Sequence, residues 1–427
     1  MNCVKAVKNN LAIIFGLIYS VIYSLILFSC QPQAPIGDAI GDVKILIPLT
    51  QQSTSENSVK NLTQNSVVTI KNIHNLNEVF GNYAQFYFTP ESAKDSLAGT
   101  APKAQFIRTQ DNVYVPSNTI TQQMFSIYYH IQNLNDYSFE ISTNLKQKIP
   151  FSVGLNTLVS GNQNQNDSNA HNNAFYDGES NALLFVPYTL KQIPIAVNAG
   201  IIAHEFFHSI FFKSILKNFN FQQDNLFKQF TKTDAALNAY YFNQTLVRGI
   251  NEGLADYWGW VYTTSTDYIS DSLPQYGASR KLELSTDRIG LTETKTDIEQ
   301  KVNEARAVTL KPNDYLSAYI YKIGTPHARY LKELTLKIQS EKNLDLVKAK
   351  LLVSKAVYKY LLFLSSETSL FTSTSELAAD HMFQYFSHPE KSELKLTKSQ
   401  CEFTISYLKL NQTALKKAEK ICTGQNE

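Results

Sequence analysis

Two short segments of the chain hold residues whose types and spacing can do chemistry. The first is His204-Glu205-Phe206-Phe207-His208. On a helix, residues four apart lie on one face, so His204 and His208 can offer two imidazole nitrogens to a single metal ion. Glu205, offset around the same helix, can reach a water molecule held at an open coordination position. Taken alone, the pattern also suits two structural histidines in an apolar helix. The second segment, Asn251-Glu252-Gly253-Leu254-Ala255-Asp256, starts 43 residues beyond His208. Glu252 completes a His, His, Glu set of the kind that binds one catalytic Zn2+ and leaves a fourth position for water. Asp256, one turn later, can accept the other ring N–H of a ligand histidine and fix its tautomer. Leu254, Tyr257 and Trp258 mark a buried helix rather than a solvated acidic face, and buried carboxylates need partners.

Together the two segments resemble the thermolysin-like peptidases and the wider gluzincin group of zinc metallopeptidases. In these, HExxH is followed on a later helix by a glutamate in an Asn-Glu-x-x-x-Asp context. The resemblance implies His204, His208 and Glu252 as zinc ligands, Glu205 as general base, and Asp256 as the carboxylate behind a ligand histidine. The family's two helices are usually joined by a shorter link, so 213–246 looks like an insertion. Upstream, Asn172-Asn173-Ala174-Phe175-Tyr176 is similar to the family's Asn-Ala-Phe-Trp edge strand. That implies Asn173 and Ala174 as positions that pair with the backbone of an extended substrate peptide. An ordinary hairpin strand is the alternative. Downstream, the segment from Tyr319 to Leu331 is similar to one in which thermolysin-like chains carry a catalytic histidine. The aminopeptidase branch has a tyrosine there, three residues before a glycine. Tyr321 stands three residues before Gly324, which implies Tyr321 as donor to the tetrahedral oxyanion. Tyr319 is a substitute, His327 is a weaker one, and a core tyrosine remains an alternative.

The activity so implied is zinc-dependent hydrolysis of peptide bonds in a peptide or protein substrate. An endopeptidase is favoured over an aminopeptidase, because no acidic residues that would hold a substrate α-amine can be identified. The alternative is a catalytically inactive zincin-fold binding protein or structural envelope lipoprotein. The complete His, Glu, His, Glu, Asp set argues against such erosion.

The elements that must position these residues change character along the chain. Runs at 43–49, 66–70, 85–89, 112–116 and 149–155 read as strands, with one helix over 122–134. The polar stretch 160–173 reads as a plain surface loop. It offers Asp167 to a calcium ion, but calcium is not predicted. Beyond 196, helical patterns run over 197–216, 224–264, 312–340, 343–364, 373–387 and 396–422. The expected class is α+β. The expected form is a two-lobed zincin fold: a β-rich lobe over 43–196, a mainly helical lobe over 197–427, and the zinc cleft between them.

The N-terminus bears on where such a cleft would work. Lys5 and Lys8 precede an apolar run over 11–28, which ends in Leu27-Phe28-Ser29-Cys30. This resembles a bacterial lipobox, with the bulky Phe28 as a departure. It implies a lipoprotein signal peptide over 1–29, lipidation of Cys30 and a flexible Pro-, Gly- and Gln-containing tether over 30–42. The protein would be exported and anchored by lipid to the bacterial cell envelope. Gln31, rather than an aspartate, favours the outer membrane. An uncleaved anchor helix is the alternative, and it also exports the rest. Losing Lys5 and Lys8 takes the 39 basic residues to 37, level with the 37 acidic ones, and leaves no basic excess for nucleic acid. Of the four cysteines, Cys401 and Cys422 then remain, and an oxidising compartment would let them pair.

Overall fold

Alternation of apolar and polar residues draws the first half of the chain into two sheets. The computed structural model describes residues 41–52, 61–93, 96–145, 150–158, 171–216, 234–283, 296–301, 303–304, 312–366, 381–386, 394–407 and 412–423. The expected signal peptide, Cys30, nearly all of the tether and Asp167 lie outside these residues. The strands in chain order are β1 (Gly41–Gln52), β2 (Asn61–Asn75), β3 (Phe80–Gly81), β4 (Ala84–Ala93) and β5 (Ser96–Thr100). They continue with β6 (Phe106–Arg108), β7 (Val113–Pro116), β8 (Phe151–Leu155), β9 (Ala174–Asp177) and β10 (Ala182–Phe185). One sheet runs β3-β2-β1-β7-β6 and the other β5-β4-β8-β10-β9. In the first, β1 and β2 are antiparallel and Ile45 faces Val68 across the ladder, both buried. In the second, β8 lies between two parallel neighbours, β4 and β10. All four residues of β10 are buried, as expected for a strand covered on both faces. β9 pairs antiparallel with β10 and forms the sheet's edge.

Helix α1 (Thr119–Ile141) is longer than the expected 122–134. Asn118 accepts from the Thr121 N–H and starts it earlier. It buries Met124, Phe125, Tyr128, Ile131 and Leu134. The later helices are α2 (Ala199–Ser214), α3 (Asp234–Thr263), α4 (Pro274–Arg280), α5 (Pro312–Glu341), α6 (Leu346–Ser366), α7 (His381–Phe386), α8 (Lys398–Tyr407) and α9 (Gln412–Thr423). The fold is α+β, and one hydrophobic core runs from Ile45 in β1 through α1 to Tyr407 in α8. Among the described residues, no helix is long and apolar enough to cross a membrane.

One sequence expectation needs correction, and one helix near the site was not expected. The single helix expected over 396–422 is two, α8 and α9, and a disulfide joins Cys401 to Cys422 with 5.6 Å between their Cα atoms. In one helix those cysteines would stand about 30 Å apart, so the chain must turn back between them. Helix α4, which the sequence reading passed over, is a seven-residue turn of helix with Pro274 at its start.

α3 and α5 cross at backbone contact. Gly249 and Gly253 on α3 meet Gly324 on α5: a Cβ on Gly253 would overlap the Gly324 carbonyl, and one on Gly324 would lie 2.6 Å from the Gly249 oxygen. Glycine inside a helix costs about 1 kcal/mol relative to alanine, so the close crossing must offset it. The far end of α3 is capped by Lys350 of α6. Its buried ammonium donates to the Val261 carbonyl at 2.8 Å and to Thr264 Oγ1 at 2.8 Å. At an open helix position Gly253→Ala would stabilise the protein. At this crossing it is expected to destabilise by about 2–3 kcal/mol, measured as a lowered midpoint in urea unfolding.

Candidate metal centre and cleft

Helix α2 is apolar nearly all round, so its polar side chains are carried into the interior. Asn198 caps it, accepting from the Gly200 and Ile201 N–H groups at 3.0 and 3.2 Å. His204 and Glu205 are 5% and 7% exposed. α2 and α3 pack antiparallel: His204 meets Asp256 and His208 meets Glu252. On the outer side of each ring the proton is held. His204 Nδ1–H donates to Asp256 Oδ1 at 3.0 Å, and His208 Nδ1–H donates to Asn251 Oδ1 at 3.0 Å. Those bonds orient both rings and turn the two Nε2 atoms toward one point. The two Nε2 atoms are 3.0 Å apart, and Glu252 oxygens lie 3.4 Å from that of His204 and 3.7 Å from that of His208. Donors about 2.1 Å from a tetrahedral ion stand roughly 3.4 Å from each other, so the triad fits one ion with adjustments of a few tenths of an ångström. Among the described residues this is the one such group whose ligand atoms converge.

Neighbouring groups on these helices are driven in different directions. Burial would lower His204, but hydrogen bonds to Asp256 and Glu252 outweigh it and raise the imidazole to about 9. Burial takes His208 down to about 4. Burial raises the Glu205 carboxyl to about 7 despite the nearby His204 and Arg280. Burial would raise Glu252 and Asp256 as well. His208 and His204 hold the first, and Arg280 with His204 the second, below the ordinary carboxylate range.

Arg280, at the end of α4, is the group in this site that sequence reasoning missed. Its guanidinium donates from Nη2 to Asp256 Oδ1 at 2.5 Å and from Nε to Oδ2 at 3.2 Å, a two-point grip on a buried carboxylate. It also stacks over the ring of Tyr321, 4.4 Å from the centroid. Nothing in local periodicity marks Arg280. The one available signal was Pro274, a helix-start residue six positions earlier. Asn251 was visible as part of a motif, but its bond to His208 depends on how α2 and α3 align.

The triad opens into a cleft of about 470 Å³. β9 forms one wall. The Val186 N–H donates to the Asn173 carbonyl, so by alternation Ala174 and Tyr176 turn their backbone groups away from β10. The Tyr176 N–H donates to Glu205 Oε2 at 3.1 Å, and the Ala174 N–H is held by Asn173 Oδ1 at 3.0 Å. Asn173 and Ala174 thus line the cleft, with the Asn173 side chain screening the Ala174 donor. Tyr321 also lines the cleft. The Glu252 charge and burial push its phenol upward, so it keeps its proton at neutral pH. Of the two substitutes, Tyr319 lies outside the cleft lining and His327 is buried away from it, bonded through Nδ1 to the Ile323 carbonyl at 2.7 Å.

No protein-family model and no curated protein matches the chain. Asn251 gives a test of the geometry. Asn251→Ala is expected to lower metal affinity by about 10- to 100-fold, measured by titrating zinc against a competing chelator.

Proposed function

We propose that the protein is a zinc-dependent peptidase of the two-lobed zincin type, which cuts peptide bonds within extended chains. The observation that carries this reading is the convergence of His204, His208 and Glu252 on one point, with buried Glu205 between that point and an edge strand. Two imidazoles and a carboxylate suit zinc better than magnesium or calcium. When bound, the ion would polarise the scissile carbonyl and lower the pKa of water beside it toward neutrality.

The chain's own residues account for the rest of the chemistry. β9 is the sheet's edge, and an extended peptide can lie along it by pairing with the outward Ala174 and Tyr176 carbonyls, while the N–H groups of those residues are held by Asn173 and Glu205. Glu205, buried beside the triad, can take a proton from the attacking water and hand it to the leaving amine. Tyr321 retains its phenolic proton and can donate it as a hydrogen bond to the oxyanion. Asp256 holds the Nδ1–H of His204, and Arg280 holds Asp256. The carboxylates lining the cleft among the described residues are Glu205 and Glu252, both engaged, which leaves none for a substrate α-amine and supports an endopeptidase. The Cys401–Cys422 disulfide favours an oxidising compartment. It is in keeping with export, a membrane anchor at Cys30 and a place on the envelope.

Glu205→Gln should keep one zinc per chain and lose about 10²- to 10⁴-fold in peptide hydrolysis, measured with quenched fluorescent peptides. A variant that remains active would exclude Glu205 as the base. Tyr321→Phe is expected to lower kcat by about 10²-fold with KM little changed. A wild-type protein that binds zinc yet cuts nothing would point instead to an inactive zincin-fold binding or structural protein.

A further inference from the structure

Two arginines line the cleft, and their surroundings differ. Arg280 is buried and committed to Asp256. Arg248 is exposed, and among the described residues no hydrogen bond or ion pair engages it. It stands one turn before Glu252 on α3, but the Glu252 carboxylate is turned to the two histidines, 3.4 and 3.7 Å away. Among the described residues no other cleft carboxylate is left to neutralise it, since Glu205 is held by the Tyr176 N–H and lies beside His204.

The antiparallel register locates Arg248 relative to the metal triad. His204 pairs with Asp256 and His208 with Glu252, so the next turn of each helix brings Phe212 of α2 opposite Arg248 of α3. Phe212 is fixed there by β9. Its ring centroid lies 5.8 Å from that of Tyr176, and the hairpin passes so close that Gly178 leaves no room for a Cβ against it. The cleft therefore continues one helical turn, about 5.4 Å, beyond the triad. That extension has aromatic walls and an unneutralised guanidinium at its lip. An extended peptide rises about 3.3 Å per residue, so this end of the cleft receives a side chain one or two residues from the scissile bond.

An acidic side chain fits such a place in both its parts: methylenes against Phe212 and Tyr176, and a carboxylate on the planar fork of Arg248. A lysine or arginine would meet a like charge there. We propose that Arg248, Phe212 and Tyr176 form a subsite that selects glutamate or aspartate one or two residues from the bond cut. The protein would then be a peptidase with an acidic substrate preference. This rests on the peptidase reading above.

The test is a set of quenched peptides with one fixed apolar cleavage site, in which Glu, Gln or Lys is scanned over three positions on each side. Wild-type protein should favour Glu over Lys by roughly tenfold in kcat/KM at one position within two residues of the scissile bond. Arg248→Glu should reverse that order to favour Lys, Arg248→Gln should level it, and Arg248→Lys should preserve it. Zinc content and circular dichroism would check that each variant is folded. In parallel, fluorescence anisotropy would measure binding of the Glu and Lys peptides to the Glu205→Gln protein and to its Arg248→Glu double variant. Cleavage without charge preference, or a preference that survives Arg248→Glu, overturns the subsite and leaves the peptidase reading standing. No cleavage by wild type, with charge-selective binding that Arg248→Glu inverts, removes the hydrolytic reading and keeps the subsite. Neither cleavage nor charge-selective binding removes both.

Discussion

The site depends on one buried carboxylate. Asp256 is 1% exposed, and an unpaired charge at such a depth would cost several kcal/mol. It is tolerated because three elements converge on it: His204 from α2, Arg280 from α4 and its own helix α3. Tyr268 closes a circuit through the same point. Its hydroxyl donates to Asp256 Oδ1 at 3.3 Å, and its carbonyl accepts from the amide of Asn198, the residue that caps α2. The start of the histidine helix and its first histidine are thus tied to the same acid by separate routes. Gly200 and Gly259 make room for the Tyr268 ring, and a Cβ on either would strike it. Removing Asp256 would strip Arg280 of its two-point partner and leave the buried guanidinium with Glu252, 3.7 Å away, and the Tyr321 ring, so it would damage folding as well as the histidine it orients.

The pattern of burial along α2 explains why adjacent residues behave so differently. His204 and Glu205 are consecutive, equally buried, and displaced in pKa by different balances. His204 has two acidic partners that overcome burial, whereas Glu205 has cationic neighbours that only partly offset it. His208 has a neutral amide behind it and gains less support for a charge. Position on the helix sets which partner each group meets, and that position is a property of the α2–α3 packing.

Much of this centre was legible because its spacing is local. Residues four apart on a helix share a face wherever the helix is placed, so His204 with His208, and Glu252 with Asp256, follow from arithmetic. The β9 edge was legible through a short motif, and the strand cores through alternation. What escaped was set by tertiary alignment. Arg280 sits on a seven-residue helix with too few turns to show a period. The role of Asn251 exists only because α2 and α3 run antiparallel at this register. The chain reversal between α8 and α9 was hidden because each side of it reads as helix, and it is the disulfide geometry that requires the turn. Most of the N-terminal and Asn-rich segments, which carried the tether and calcium readings, lies outside the described residues.

The glycine crossing of α3 and α5 has a mechanical consequence. With backbone touching backbone at Gly249, Gly253 and Gly324, neither helix can roll or slide without collision, so Glu252 and Tyr321 move as parts of one stiff body. The facing wall is built differently. β9 is four residues long, held by a ladder to β10 on one side and by the Tyr176 N–H to Glu205 and the Tyr176–Phe212 ring contact on the other. The cleft is thus bounded by a locked helix pair and by a short strand. The separation of Glu252 from Tyr321 is therefore set by the helix crossing itself, whatever occupies the cleft beside them.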